Sequence, residues 1–317
     1  MNLKIMKTKY LMIATVAMLL TACSNDENEV NDGPVAAQVN AEIYNMATSR
    51  AYDDDWEKTD AIGISVASVA NQGATAGTNV KYTRKSDNRG FEASSPIYFQ
   101  DKEEVTFRAY YPFTETAKMT DGKTISASTA DQTQQSTFDF MFATDAKAKK
   151  EAPTINFTEN SGGMDCRFKH CMSQLQLEFH SGHGIELTSK SIGYKVIGLN
   201  MAGTFDIETG VAAANTTATN IKDLSFNPVT ATGSMITKDP IILFPQSVTG
   251  NKFNIEVTID QQTYEAELAL PATTGNKFEA GYKLLYVVTI NKTGLTIGDA
   301  EIEDWISETH QGDATMK

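Results

Sequence analysis

The stretch Val35-Ala36-Ala37-Gln38-Val39-Asn40-Ala41-Glu42-Ile43 alternates with a period of two. Val35, Ala37, Val39, Ala41 and Ile43 fall on one face, and Gln38, Asn40 and Glu42 on the other. Successive side chains of an extended chain point to opposite sides, so this is the pattern of a half-buried β-strand. If the Val and Ile side chains bury at about 1.5–3 kcal/mol each, three of them contribute on the order of 5–9 kcal/mol before ordering entropy is subtracted. Removal of such a strand would leave an apolar groove, and the sequence around it suggests that it is removable.

Upstream lie signals of address. Lys4, Lys7 and Lys9 precede Leu11 to Leu20, an uncharged and mostly apolar run that ends in the small residues Thr21 and Ala22. At about 1.5 Å rise per residue, a run of this length reaches only half of a ~30 Å hydrocarbon core, so residues 1–22 read as a secretion signal and not as a spanning helix. Cys23 follows Leu20-Thr21-Ala22 directly. Small residues before a nucleophilic thiol are what lipoprotein maturation requires, so Cys23 is the expected site of acylation. Ser24 to Glu29 is polar and acidic, as a solvated tether is. Just beyond the strand, Ser49-Arg50-Ala51 offers a basic site for proteolysis, which would remove residues 23–50 from the acylated chain.

The 317-residue chain is 41% apolar and 21% charged, the composition of a globular protein with a substantial core. Its net charge of −13 argues against nucleic acid, which needs a basic groove to release counterions. With Cys23 acylated, Cys166 and Cys171 are too few for a disulfide framework or a four-thiolate zinc site. Five residues apart, they would face opposite sheet surfaces in a continuous strand, so free or buried thiols are expected.

Downstream the texture is that of short strands. Ile62 to Val66, Val80 to Tyr82, Ile97 to Phe99, Val105 to Tyr111 and Phe138 to Phe142 alternate or are aromatic and β-branched. Asn71 to Asn79 and Thr114 to Gln135 have the composition of long loops, and Lys147 to Ala152 reads as a helical turn or a linker. Leu175, Leu177 and Phe179 face inward on the next strand, and a change of phase near Cys171 suggests a bulge. Strands follow at Ile192 to Leu199, Phe205 to Ile207, Ile241 to Phe244, Phe253 to Ile259, Tyr264 to Leu270 and Leu284 to Ile290, with a hairpin loop at Asp260-Gln261-Gln262. Many short strands at near-regular spacing imply sandwiches or barrels, here over residues 51–160 and 161–317.

No constellation carries catalysis or a cofactor. His180 and His183 flank Ser-Gly and read as turn residues, and His170 as a packed residue at the core edge. Asp53, Asp54, Asp55, Glu57 and Asp60 lack the glycine and distal glutamate of a calcium loop and read as a solvated acidic run. Tyr110, Tyr111, Phe138, Phe140 and Phe142 are better explained as core than as a glycan platform, since strand positions two apart face one side.

The order of several pieces resembles the fimbrillin family, subunits of the type V fimbriae of the Bacteroidales. The pieces are the box ending in Cys23, Arg50-Ala51 followed by Trp56 to Ile64, and Phe138 to Thr144. Phe168-Lys169-His170, Gly203 to Gly210, Leu243-Phe244-Pro245-Gln246, Phe278 to Tyr282 and Ile302-Glu303-Asp304-Trp305 complete the set. The resemblance implies an all-β chain of two tandem transthyretin-like β-sandwich domains, made as an outer-membrane lipoprotein exposed at the surface. It implies an arginine-specific protease that frees the first strand, and other fimbrial subunits as partners through donor-strand exchange. The C-terminal donor would lie in residues 299–317, with Ala300, Ile302, Trp305 and Ile306 as candidate pocket fillers. The alternative is a non-polymerising, lipid-anchored protein that binds a glycan or another ligand, or a fimbrial anchor that keeps its first strand.

Overall fold

A computed structural model of the chain describes residues 33–44, 56–87, 89–217 and 221–305. Cys23, Arg50, Ala51 and Ile306 lie outside the described residues. The described residues from Val35 to Trp305 form one nearly all-β unit, in which the helical segments are short 3-10 turns. Among the described residues no helix is long and apolar enough to cross a membrane.

The first sheet has eight strands, in the order Thr154–Phe157, Gln38–Ala41, Phe91–Glu92, Val80–Arg84, Ala61–Val69, Val105–Tyr111, Met141–Ala148 and Lys169–His170. It curls on itself. Ile43, just past the second strand, bridges Phe168, just before the eighth, so the continuation of the second strand reaches the far edge of the sheet. Ile62, Ile64, Phe99, Phe107, Ile155, Phe157 and Phe168 fill the enclosed core.

Two further sheets sandwich a second core. In one, Ser173–Ser181 runs parallel to Tyr282–Asn291, which also pairs with Gly294–Ile297 and Glu301–Asp304. The other has the order Ile221–Thr230, Ser191–Asn200, Lys252–Ile259 and Gln262–Ala269. Leu175, Leu177 and Phe179 point inward as expected, against Val196, Ile255 and Val257. The hairpin closes tightly: Ile259 pairs with Gln262, leaving Asp260 and Gln261 alone in the turn at φ 46° and 73°. That is the twist-matched two-residue turn, one residue shorter than the sequence suggested.

A third core joins these bodies. Phe140 stacks on Phe205 with centroids 4.6 Å apart, and Tyr110, Phe138, Met172 and Phe244 pack around them. Here the polar stretch read as a loop contains a strand, Thr124–Ser128, paired with Ala202–Asp206. Only Ile125 of that strand is buried, so its composition hid its pairing. Lys147 to Ala152 is not helical: the strand Met141–Ala148 runs into a tight turn in which the Ala152 amide donates to the Lys149 carbonyl at 2.9 Å. Small buried residues, Ala146 and Ala148, had masked its extended periodicity. Ile221–Thr230 was also missed, because it is a sheet edge with Leu224 as its sole buried side chain.

Candidate functional site

Gln38–Ala41 lies between Thr154–Phe157, to which it runs parallel, and Phe91, which pairs with Val39. Its alternation places Ala37, Val39 and Ala41 in the first core and Gln38 and Asn40 outward. Val39 is only 2% exposed, while Ile43 is half-buried against the same core. The backbone is held at both ends. The Gln38 amide donates to the Pro153 carbonyl and the Glu42 amide to that of Phe157, each at 2.9 Å. Further along, the Tyr44 amide donates to the Phe168 carbonyl at 2.7 Å, and the Phe168 amide to the Glu42 carbonyl at 3.0 Å. Before the strand, Val35–Ala36 pairs with Tyr98–Phe99.

Three features clamp this strand from outside its ladder. The Trp56 indole Nε1–H donates to the Ala41 carbonyl at 2.9 Å, and the Trp56 ring stands edge-on to Phe91, Tyr111 and Phe168 at 5.2, 5.6 and 5.1 Å. The Arg167 guanidinium lies 4.1 Å from the centre of the Tyr44 ring, with the Lys169 ammonium 5.2 Å away. Gly90, at φ +77°, comes so close that a Cβ there would lie 2.4 Å from the Val39 carbonyl oxygen. By its family pattern alone, Trp56 is not marked as a clamp on the first strand. A lone tryptophan amid Asp53, Asp54, Asp55, Glu57 and Asp60 was the available signal, since so large an apolar surface is seldom left in water.

At the other end of the chain, Glu301–Asp304 pairs antiparallel with Tyr282–Leu285. Ala300 and Ile302 pack on the second core. The Trp305 amide donates to the Gly281 carbonyl at 2.7 Å, and its ring lies on His170, centroids 4.2 Å apart and 6° from parallel. His170 is held in turn by Asp139, with Nδ1 and Oδ1 3.0 Å apart. In this conformation Ala300, Ile302 and Trp305 therefore serve the chain's own sheet.

The remaining candidates have structural partners. Asp60 accepts from the Glu57 amide at 2.7 Å and from the Tyr111 hydroxyl at 3.0 Å, and burial raises its pKa against the pull of those bonds. His180 Nε2 lies 2.5 Å from Glu178, and the His183 amide donates to Asn291. Cys166 belongs to the first core and Cys171 to the third; both are free, and burial pushes both thiols up from their ordinary range. Of the five aromatics weighed as a platform, Tyr110, Phe138 and Phe140 are in the third core, Tyr111 is in the first, and Phe142 is half-buried beside the third.

The class so defined is an all-β protein of linked sheets with an N-terminal strand inserted between Thr154–Phe157 and Phe91 in a curled sheet. A family model described as fimbrillin-like matches residues 49–305, and the chain belongs to that family. A Bacteroides uniformis protein described as a candidate fimbrium subunit, Fim1C, is 31% identical over 315 residues, covering 95% of this chain and 96% of its own. The solved structure of a candidate cell adhesion protein from Bacteroides ovatus superposes with a TM-score of 0.69 at 25% identity, over 87% of this chain and 99% of its own. A second such structure, from Bacteroides uniformis, gives 0.62 at 26% identity, over 86% and 99%.

Proposed function

We propose that this chain is a structural subunit of cell-surface fimbriae that supports adhesion and has no catalytic role. It is exported as an outer-membrane lipoprotein through Cys23 and polymerises after an arginine-specific protease cuts between Arg50 and Ala51. The observation that carries this reading is the way Gln38–Ala41 is held. It is an inserted strand with its own buried side chains, joined to the body through residues 45–55, which contain Arg50. Cutting there would leave the strand held by hydrogen bonds and packing alone. Its departure would open a groove walled by Thr154–Phe157 on one side and Phe91 on the other, floored by the pockets of Ala37, Val39 and Ala41. Unpaired backbone and empty apolar pockets are what an incoming strand satisfies.

The kinship with proteins described as fimbrial and adhesive supports the same reading. The donor is a strand from another fimbrial subunit, drawn from residues 299–317 of a second copy in a homopolymer. Because Ala300, Ile302 and Trp305 also serve their own sheet, donation requires them to leave it or falls to residues beyond Trp305.

The test is to treat purified precursor with an arginine-specific protease, with Arg50→Ala as control. Detergent-resistant oligomer ladders should form only from the cleavable chain. Monomers from both chains would overturn the proposal.

A further inference from the structure

A cleft of about 660 Å3 opens between the first sheet and the second sandwich. Its walls are fixed. The Gln132 amide donates to the carbonyls of Thr129 at 2.6 Å and Ile242 at 2.9 Å, and its oxygen accepts from the Ile242 amide at 2.9 Å. Gln135 donates to the Pro240 carbonyl at 2.7 Å, so the loop on one side is bonded to the segment on the other.

Three polar side chains that line this cleft are nearly buried: Gln174 is 3% exposed, Tyr194 4% and Lys238 9%. Among the described residues, neither the Gln174 amide, the Tyr194 hydroxyl nor the Lys238 ammonium makes a hydrogen bond, and Lys238 makes no ion pair. The ammonium lies 5.6 Å from the centre of the Tyr194 ring, and loss of solvent lowers its pKa against the opposing pull of Asp239. None of the three is orphaned in the core: among the described residues the buried side-chain polar atoms without a partner are Arg84 Nε, Arg108 Nε and Asn200 Oδ1, so these three open to water through the cleft. Polar groups held on one cleft wall without a protein partner are free to bond a ligand that displaces that water.

The chemistry of that ligand follows from what surrounds them. Asp60 and Asp239 also line the cleft, and the whole chain carries a net charge of −13. An anion would meet repulsion from these carboxylates. A ligand that both donates to carboxylates and accepts from an ammonium and an amide must carry groups that do both, as hydroxyls do. Tyr194 stacks on Phe226 at 4.4 Å and 8°, and both line the cleft, which provides an aromatic wall. The C–H face of a sugar ring packs on such a wall while its hydroxyls reach the polar groups. The volume is within the range of small-ligand sites. The geometry points to a binding site for a short, neutral pyranose oligosaccharide, with Lys238, Gln174 and Tyr194 as hydroxyl-binding groups and Phe226 as stacking partner.

Ile43 of the segment before Arg50 lines this cleft, so the site is tested on the full Arg50→Ala chain, which keeps that wall in place. Maltotriose, cellotriose, xylotriose and N-acetylchitotriose are titrated calorimetrically, with sialyllactose and trigalacturonate as anionic probes. At least one neutral sugar should bind at one site per chain. Lys238→Met should weaken it about tenfold or more, as loss of a hydrogen bond to a charged group does. Tyr194→Phe, which removes one oxygen and keeps the packing, should weaken it several-fold even if Lys238→Met compromises the fold. Lys195→Met, whose partner Glu256 lies outside the cleft, should leave binding unchanged. No binding by any neutral sugar, tighter binding of the anionic probes, or undiminished binding by the Tyr194→Phe chain would overturn the assignment. Oligomer formation by the cleavable chain is a separate readout and stands or falls alone.

Discussion

The indole N–H of Trp56 donates to the carbonyl of Ala41 at 2.9 Å, and these two residues lie on opposite sides of Arg50 in the chain. The body therefore grips the first strand with a residue that would stay behind after cleavage. Trp56→Phe keeps an aromatic ring among Phe91, Tyr111 and Phe168 but leaves the buried Ala41 carbonyl without this donor. Such a loss costs about 1–3 kcal/mol. Urea unfolding should show that decrease, and amide exchange of residues 38–43 should accelerate more than that of the second core. Equal acceleration throughout would mean that Trp56 stabilises the fold generally and does not latch the strand.

The same residue reports strand loss. The chain has two tryptophans, so Trp305→Phe leaves Trp56 as the sole indole. Trp56 is 6% exposed beneath the strand. Cleavage at Arg50 followed by departure of residues 23–50 should shift its emission to the red, and arrival of a donor strand should reverse the shift. An emission maximum that stays constant while oligomers form would count against exchange at this groove.

Gly90 offers a way to loosen the strand without touching it. Its φ of +77° disfavours any Cβ, and the Val39 carbonyl oxygen stands 2.4 Å from where that Cβ would be. Gly90→Ala should destabilise the uncleaved protein by about 2–4 kcal/mol, from left-handed strain and overpacking together. In a protease time course the variant should then release its N-terminal fragment sooner after cleavage. Unchanged melting and unchanged release would show that the backbone there relaxes freely.

Much of this fold was legible because burial and pairing left a periodic trace. Val35 to Ile43, Leu175 to Phe179 and the Phe253 to Leu270 hairpin alternate clearly, since each has one face in a core. The strands that escaped notice have little to alternate. Thr124–Ser128 buries Ile125, and Ile221–Thr230 buries Leu224, so both are recruited by neighbouring strands and not by their own apolar faces. The cleft was illegible for a different reason. Gln174, Tyr194 and Lys238 come from three separate strands or connections, and their lack of partners exists only once the chain has folded. By contrast, the proposed sites at Cys23 and Arg50 lie outside the described residues and rest on local sequence motifs alone.

Cys166 and Cys171 give a chemical check on the cores. Burial raises the pKa of both thiols, more strongly for Cys171, and the thiolate is the reactive form. Neither should react with Ellman's reagent in the native protein at pH 8, and both should react at once in guanidinium. Rapid native labelling at Cys166 alone would mean that the first core opens locally, as a loosely held strand would allow.

The aromatic seam should decide whether the two bodies unfold together. Phe140 comes from the first half of the chain and Phe205 from the second, and their rings lie 4.6 Å apart within 3° of parallel, both fully buried. Thr124–Ser128 also crosses between the halves to pair with Ala202–Asp206. With packing and pairing shared in this way, the intact chain should melt in one calorimetric transition. Phe205→Ala should remove about 3–5 kcal/mol, the usual cost of emptying a buried aromatic site. Because that loss falls on the seam and not within either principal core, the single transition should broaden or split, with the second sandwich retaining most of its own melting enthalpy. A uniform downward shift of one sharp transition would instead show that Phe205 belongs energetically to a single undivided core.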